Sequence, residues 1–395
     1  MKKIKAVILV LVLVFVTGTF AFPSLIDVYK RGKIKLVGDP AYGKTNDWES
    51  LFYDVVKQIT VAPDGSVFVS NGRQNNVYKF SPTGQLIKTF GQKGLGTGDT
   101  NLPGYLSILD NKYLVIAENA LLLRVSIFDL SGKYYKLLRT KKAPWNVIAL
   151  KNNTIAFLYI NYPPGVNFPQ THPIDVVIKN ILTGEEKIVF STKILDKSVV
   201  NVDGTGLTIG KFTGEVFIAQ TGDGNLMVGI TDKPDILVFS PTGEKINSFK
   251  LNMNPLPADN TYIEQISRYK LAKMKINDAK FPFFIKLYKS IENSGKYKEY
   301  FNDYLPYYRE VFVDSEGNFL FFKWDKCIEK CDPVFQVYSP QGKYICETKL
   351  ETGIYDIQID HKWTQMAFTS KGLFGLFQIK NSDDISLRVV KVKLE

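Results

Sequence analysis

The sequence predicts an all-β protein, a six-bladed β-propeller of four-stranded antiparallel blades with a helical insertion between blades four and five. Three observations predict it. Residues 56–90 alternate short apolar runs with turn chemistry, Asp64-Gly65 after the first run and Ser81-Pro82-Thr83-Gly84 before the last, the pattern of a four-stranded meander. The same text returns at residues 214–249, where Phe239-Ser240-Pro241-Thr242-Gly243-Glu244 matches Phe80-Ser81-Pro82-Thr83-Gly84-Gln85, and again at 311–350 with Tyr338-Ser339-Pro340-Gln341-Gly342-Lys343. Weaker copies end in Ser131-Gly132 and Thr183-Gly184. A four-strand unit recurring every 40–50 residues or so is the signature of a propeller blade.

The chain opens on a targeting segment. Lys2, Lys3 and Lys5 precede an apolar stretch, and Thr19-Phe20-Ala21 offers a small-x-small cleavage site, so residues 1–21 are expected to be a secretory signal peptide. An uncleaved N-terminal anchor is the competing reading. No other stretch is long and apolar enough to span a bilayer, and the expected location is secreted or periplasmic. Residues 22–395 then form a single propeller domain.

Turn counting places the blades at 52–90, 104–140, 144–195, 205–251, 309–350 and 353–395. In the last of these, Asn381-Ser382-Asp383-Asp384 stands at the C–D turn. A further copy of the turn, Tyr29-Lys30-Arg31-Gly32, precedes a lone apolar run at 33–37. It implies that an N-terminal strand closes the ring against the last blade, either replacing or extending the strand near 386–394. Each turn glycine is explained by the positive φ that such a hairpin requires.

Residues 59–69 (ITVAPDGSVFV), residues 77–84 (VYKFSPTG) and the linker FGQKGLGTG at 90–98 followed by Leu102-Pro103 resemble the NHL-type six-bladed propellers of bacterial secreted proteins. The first blade carries the likeness best, the fourth and fifth less, and the others by spacing. The resemblance implies a fold and a binding role, and no particular reaction.

Composition fits this reading. Hydrophobic residues make up 45% and aromatics 13%, enough to fill the spaces between sheets. The net charge of +11 falls to about +8 without the leader lysines; with no recognition module in sight, nucleic acid is not an expected partner. A solvated basic surface, or attraction to an anionic polymer, accounts for it. Three cysteines remain. Cys327 and Cys331 share the B–C loop of blade five and are either a small disulfide or two thiols; Cys346 falls in a strand as a buried free thiol.

Propeller topology brings B–C loops and D-to-A connections out on one face, and A–B and C–D turns on the other. The irregular sequence belongs to the first face: the blade-three loop at 161–173, the cysteine loop, and the insertion at 252–309. Long loops in compact domains tend to carry function. The candidate contacts are Tyr162, Phe168 and His172 from the blade-three loop, with Tyr288, Tyr300 and Tyr304 from the insertion. Three helices are expected in that insertion: one after the capping group Asp259-Asn260-Thr261, one after Pro282, and a short one at 297–305. Its many tyrosines suit either packing or ligand contact.

No nucleophile elbow, phosphate loop or metal motif is present. The glycines at 91–98 lack a following helix and fit an inter-blade linker. Only His172 and His361 exist, too few for a histidine-based zinc centre, and no cofactor or metal is expected. Two functions from different classes follow. One is an exported, non-catalytic propeller binding a protein, peptide or glycan. The other is a calcium-dependent lactonase- or lyase-type propeller holding its metal in the central tunnel.

Overall fold

In the computed structural model, every glycine of the repeated turn adopts positive φ: Gly32, Gly84, Gly132, Gly184, Gly243 and Gly342 all lie between +77° and +86°. A side chain there would crowd its own backbone, so one residue type marks each turn. The A–B turns solve the same problem in two ways. Gly65, Gly224 and Gly317 take positive φ in three of them, whereas Asp110-Asn111 and Asn152-Asn153 do so in two others, the dipeptides that tolerate both central positions of a tight hairpin. The structure describes residues 24–47, 51, 56–118, 123–161, 171–195, 198–200, 207–211, 213–265, 297–324, 326, 332–353, 355–356, 365–369, 372–380 and 385–395.

Four antiparallel sheets of four strands follow in chain order. The first holds Val56–Val61, Val67–Asn71, Asn76–Phe80 and Leu86–Phe90; the second Leu106–Leu109, Tyr113–Ala117, Arg124–Asp129 and Tyr134–Arg139. The third holds Pro144–Ala149, Thr154–Ile160, Thr171–Asn180 and Glu186–Leu195; the fourth Val216–Gln220, Leu226–Ile230, Asp235–Phe239 and Lys245–Lys250. A nine-stranded sheet completes the propeller. Its first four strands are Tyr308–Val313, Phe319–Lys323, Val334–Tyr338 and Tyr344–Glu351. Lys33–Gly38 comes next, then Ile385–Leu394 and Gly372–Lys380, with Tyr355–Asp356 and Gln365–Thr369 both on the far edge of Gly372–Lys380.

The N-terminal strand therefore extends the C-terminal sheet and replaces nothing. Leu36, Val37 and Gly38 pair antiparallel with Leu394, Lys393 and Val392. Its first half, Lys33 to Lys35, pairs in parallel with Lys349 to Glu351. The turn at Tyr29–Gly32 thus stands just before an outermost strand, where a C–D turn belongs. Residues 381–384, assigned from sequence to the last C–D turn, lie outside the described residues. The strands on either side of them, Gly372–Lys380 and Ile385–Leu394, pair with each other, and Ile385–Leu394 pairs in turn with the N-terminal strand.

Packing lies between sheets. Among the described residues, buried apolar side chains fall into six clusters: five join neighbouring sheets, and one lies within the nine-stranded sheet, where its two halves meet at Lys33–Gly38. Aromatic rings carry much of it: Phe90 lies 5.3 Å from Phe128 and 6.3 Å from Phe68, and Tyr308 meets Phe321 edge-on at 5.2 Å. The innermost strands neighbour one another around the axis, and Gln365–Thr369 sits between Tyr308–Val313 and Val56–Val61. At the rim, outer strands reach the next C–D turn: Lys88 Nζ donates to the Ser131 carbonyl (2.8 Å), Lys136 Nζ to Ile181 (2.7 Å), and Asn247 Nδ2 to Gln341 (3.2 Å). Past the N-terminal strand, Gly43 N–H and Asn46 Nδ2 donate to the Thr83 and Gly84 carbonyls.

A short helix, α1 (Leu25–Tyr29), begins with Ser24 as its cap and delivers this strand. Tyr29 is fully buried and donates from its hydroxyl to Asp314 Oδ2 at 3.0 Å. Asp314 also accepts from the backbone N–H groups of Glu316 and Asn318 and from Asn318 Nδ2. Burial nevertheless outweighs these bonds and holds its carboxyl above the usual range. Ile34 and Leu36 lie in the seam core.

Two expectations fail in the fourth repeat and the insertion. Leu207–Lys211, counted from sequence into the fourth blade, is not part of its sheet: it pairs with Ser198–Val200 and, in parallel, with Tyr297–Phe301. The helix expected at 297–305 is therefore a strand. Its tyrosine spacing suits a helix, but an open partner edge satisfies the backbone better. The first insertion helix does begin as expected, with residues 260–265 helical and Asp259 Oδ1 accepting from the Tyr262 N–H at 2.9 Å. The helix expected after Pro282 lies outside the described residues.

Replacing Ile34 with Ala should cost about 2–5 kcal/mol in denaturant unfolding, the range for emptying a well-packed site, whereas Lys35→Ala, on the exposed side of the same strand, should cost little. The Asp314 shift also gives a sign. Because the folded state holds that proton more tightly than the unfolded chain, its contribution is complete below the ordinary carboxylate pKa and is lost as pH rises through the raised folded value. Asp314→Asn should flatten that part of a plot of stability against pH; an unchanged slope would mean that Asp314 does not titrate there.

Candidate functional site

The chain's irregular sequence does gather on one face. Each innermost strand starts where the D-to-A connections and B–C loops emerge. There the third sheet overhangs: Thr171, His172 and Pro173 pair with Leu195, Ile194 and Lys193 beyond the end of Thr154–Ile160. The two following D-to-A connections then pair with each other. Leu207–Lys211 comes from one and Tyr297–Phe301 from the next, so a separate three-stranded sheet spans the connections around the fourth sheet. The insertion is tied down at both ends. Leu305 N–H donates to the Leu256 carbonyl and Ala258 N–H to Asp303, both at 2.8 Å, and Tyr262 and Leu305 are buried.

The predicted contacts separate on inspection. Tyr304 lies on this face at 57% exposure, bridged to Pro257. Tyr300 belongs to the added strand, Tyr297–Phe301. His172 is in a strand rather than a loop, opposite Ile194, and only 4% exposed; it walls the overhanging hairpin. Tyr162, Phe168, Tyr288, Cys327 and Cys331 lie outside the described residues. Cys346 is a free, half-buried thiol in Tyr344–Glu351, less enclosed than expected, and burial raises its pKa.

Trp145 was not among the predicted contacts. It is 44% exposed at the start of the innermost strand Pro144–Ala149, where the register shifts between Pro144 and Asn146. The same irregularity recurs between Val56 and Gln58 and between Tyr308 and Glu310. A bulge inserts one residue and re-aims its side chain, and three bulges at one end of the innermost strands shape a mouth. Nearby, burial and next the charge of Glu310 push the Tyr105 phenol above its ordinary pKa.

The glycine-rich linker is held by a buried ion pair. Arg124 Nε donates to Glu118 Oε2 at 2.6 Å, and its Nη2 donates to the Gly94 carbonyl at 3.0 Å. Glu118 Oε2 also accepts from the Asn101 N–H, and its Oε1 from Ser126 Oγ. Asp99 closes the loop from outside by accepting from Gln92 and the Gly96 N–H, bonds that hold its pKa down. A Cβ on Gly94 would meet the Asp99 carboxylate, which would have to leave its bonds to Gln92 and Gly96. The linker reading of these glycines thus has a physical basis. Among the described residues no group of three or more His, Cys, Asp or Glu side chains is placed to hold a metal.

The described cavity of about 540 Å³ opens at the other end of the ring, among the A–B turns. Its wall includes Thr60, Ser107, Asp110, Lys151, Gln220 and Asp223.

No family model and no curated protein sequence matches the chain. Solved structures do resemble it. A member of the DUF4221 family from Bacteroides vulgatus aligns with a TM-score of 0.50 at 12% identity, over 92% of this chain and 99% of that one. A predicted exported protein from Bacteroides fragilis aligns with a TM-score of 0.49 at 13% identity, over 92% and 95%. A virginiamycin B lyase from Staphylococcus aureus aligns with a TM-score of 0.41 at 11% identity, over 92% and 99%. Identities this low speak for the fold alone: the chain is a β-propeller. No helix among the described residues is long and apolar enough to cross a membrane.

Glu118→Gln should destabilise the protein by about 3–5 kcal/mol, because it leaves the Arg124 charge buried without its counter-ion. The double replacement Glu118→Leu with Arg124→Met should recover much of that loss; equal losses in single and double variants would show that the pair matters only by its shape.

Proposed function

We propose that this chain is an exported, six-bladed, non-catalytic binding propeller that recognises a protein, peptide or glycan through its D-to-A and B–C face. Three features support six blades. The nine-stranded sheet divides at Lys33–Gly38 into two four-strand units, with Tyr355–Asp356 and Gln365–Thr369 as one interrupted inner strand. The inner strands neighbour one another in a closed circuit, and the apolar clusters number one per junction between units. The N-terminal strand then serves as the outermost strand of blade six. Export rests on the leader expected at residues 1–21.

The observation that carries the binding role is the added three-stranded sheet. Ordering a connection costs about 1–2 kcal/mol of backbone entropy per residue, and a propeller needs only short connections to close. Here two successive connections are paired with each other, forming a built surface beside the bulged starts of the inner strands. Exposed rings stand on it: Trp145 at the mouth and Tyr304 on the insertion. Tyr162, Phe168, Tyr288 and Tyr300 are the further contacts assigned to this face, with His172 supporting the hairpin beneath.

Peptide and glycan arrays probed with the purified chain test this reading. Binding to a defined subset is expected, and Trp145→Ser with Tyr304→Ser should abolish it without lowering the melting temperature appreciably, since both rings are exposed. An empty array, or a set of hits that the double variant retains, would overturn it.

A further inference from the structure

The cavity among the A–B turns is lined in part by side chains that hold the ring together and in part by side chains that do not. Two of its charged groups are committed to the ring. Asp110 accepts from the Asn152 and Asn153 N–H groups at 3.0 and 2.7 Å, fastening the second A–B turn to the third. Asp223 accepts from the Thr221 hydroxyl and the Asn225 amide, the latter at 2.7 Å, and fixes the fourth turn. Each carboxylate oxygen uses one of its two acceptor positions in this way and keeps another.

Four other polar side chains are different. Thr60, Asn111, Lys151 and Gln220, from four successive sheets, line the same cavity. None of them has a side-chain hydrogen bond or ion pair among the described residues. Lys151 is held across the opening: its Cβ, Cγ and Cδ lie 3.1–3.3 Å from where a Cβ on Gly224 would stand, and its own N–H donates to the Gly224 carbonyl. A hydroxyl, two primary amides and an ammonium, none of them used by the fold, therefore belong to residues that line one cavity together with spare carboxylate acceptors. The glycines here have a separate explanation, because a Cβ on Gly222 would fall 2.8 Å from Gly317 Cα.

We infer that this tunnel mouth is a second binding site, taking a small neutral polyhydroxylated ligand such as a mono- or disaccharide. The volume of about 540 Å³ lies within the span of small-molecule sites, roughly 300–1,000 Å³. The lining selects the chemistry. Among the described residues no aromatic side chain borders the cavity, and these residues offer no platform for stacking or for holding an organic cation. An apolar ligand would strand the donors without partners, at the cost of desolvating each. An anion would meet two carboxylates, and a cation would meet Lys151. Vicinal hydroxyls, each donating once and accepting once or twice, match an alternation of amide, ammonium, hydroxyl and carboxylate. The site lies at the opposite end of the ring from the face proposed above and does not depend on it.

The purified chain titrated with maltose, cellobiose and myo-inositol, by calorimetry and ligand-observed NMR, tests the inference. Saturable binding of at least one at millimolar concentration or below is expected. Gln220→Leu and Asn111→Gly should each weaken it about tenfold, the effect of one lost hydrogen bond at the upper end of the usual range; both residues are exposed, and glycine keeps the positive φ that Asn111 adopts, so the fold should persist. Trp145→Ser with Tyr304→Ser should leave it unchanged. Binding to none of the three, binding that neither cavity variant alters, or binding lost only with the Trp145 and Tyr304 pair would overturn the inference.

Discussion

Both ends of the chain meet on one strand, Lys33–Gly38, and the rest of the ring is held to the geometry that this strand imposes. A stack of sheets bent into a circle gains its last inter-sheet core only if the two terminal sheets are brought together, and a covalent chain that merely ends there leaves that seam to side-chain packing. Here the seam is crossed by backbone hydrogen bonds on both edges of a single strand, antiparallel to the last strand of the chain and parallel to Tyr344–Glu351. The strand also covers an outer edge that would otherwise present unpaired N–H and C=O groups. Its delivery by α1 is fixed by a buried hydroxyl–carboxylate bond, so the seam is defined in position as well as in pairing.

The A–B end of the ring is locked turn to turn. Asp110 binds the Asn152-Asn153 turn, Lys151 N–H reaches the turn at Gly224, Gly222 touches Gly317, and Asp314 in the fifth turn receives Tyr29. Each link joins one repeat to the next, so a change in the angle between two units would break hydrogen bonds in both. The other end is tied differently: Leu106 N–H donates to Gln58 Oε1, Ser70 Oγ to the Gly104 carbonyl and Tyr307 N–H to the Thr231 carbonyl, bonds made by connections and inner strands and not by repeated turns, and this end is the irregular one. Its connections are longer, paired with each other, and bulged where they enter the inner strands. The molecule thus has one end made rigid by short repeated turns and one end free to diverge, and the two proposed sites differ accordingly. A mouth framed by locked turns suits a small ligand held by fixed polar groups. A surface assembled from long connections suits a larger partner.

The fold was legible in the sequence because its most demanding backbone positions are its most regular ones. Six turns need a residue at positive φ, glycine meets that need at least cost, and so Gly84, Gly132, Gly184, Gly243 and Gly342 spell out the repeat. Gly32 spells it out once more in front of a strand that had no visible sheet, which is why ring closure could be anticipated. Counting turns assumes that each repeat supplies its own outermost strand, and the seam is the place where that assumption fails. The added strand at 297–301 was hidden for another reason: its side-chain spacing is helical, and only its partner at Leu207–Lys211, some ninety residues earlier, makes it extended.

The candidate sites were legible only in part, and the difference lies in how far apart their residues are in sequence. The elaborated face could be assigned because loop length is a local property, and topology alone says on which side a D-to-A connection emerges. Trp145 escaped notice because its exposure follows from a bulge, a register shift that no local pattern around Pro144 announces. The A–B mouth left still less trace. Thr60, Asn111, Lys151 and Gln220 stand one to a sheet and about 40–70 residues apart, each beside a turn whose composition is already accounted for by backbone conformation. What sets them apart is the absence of a partner within the described fold, a property that exists only once the sheets are in place. A lone polar residue near a hairpin carries no information, whereas four of them facing one cavity with unused donors do.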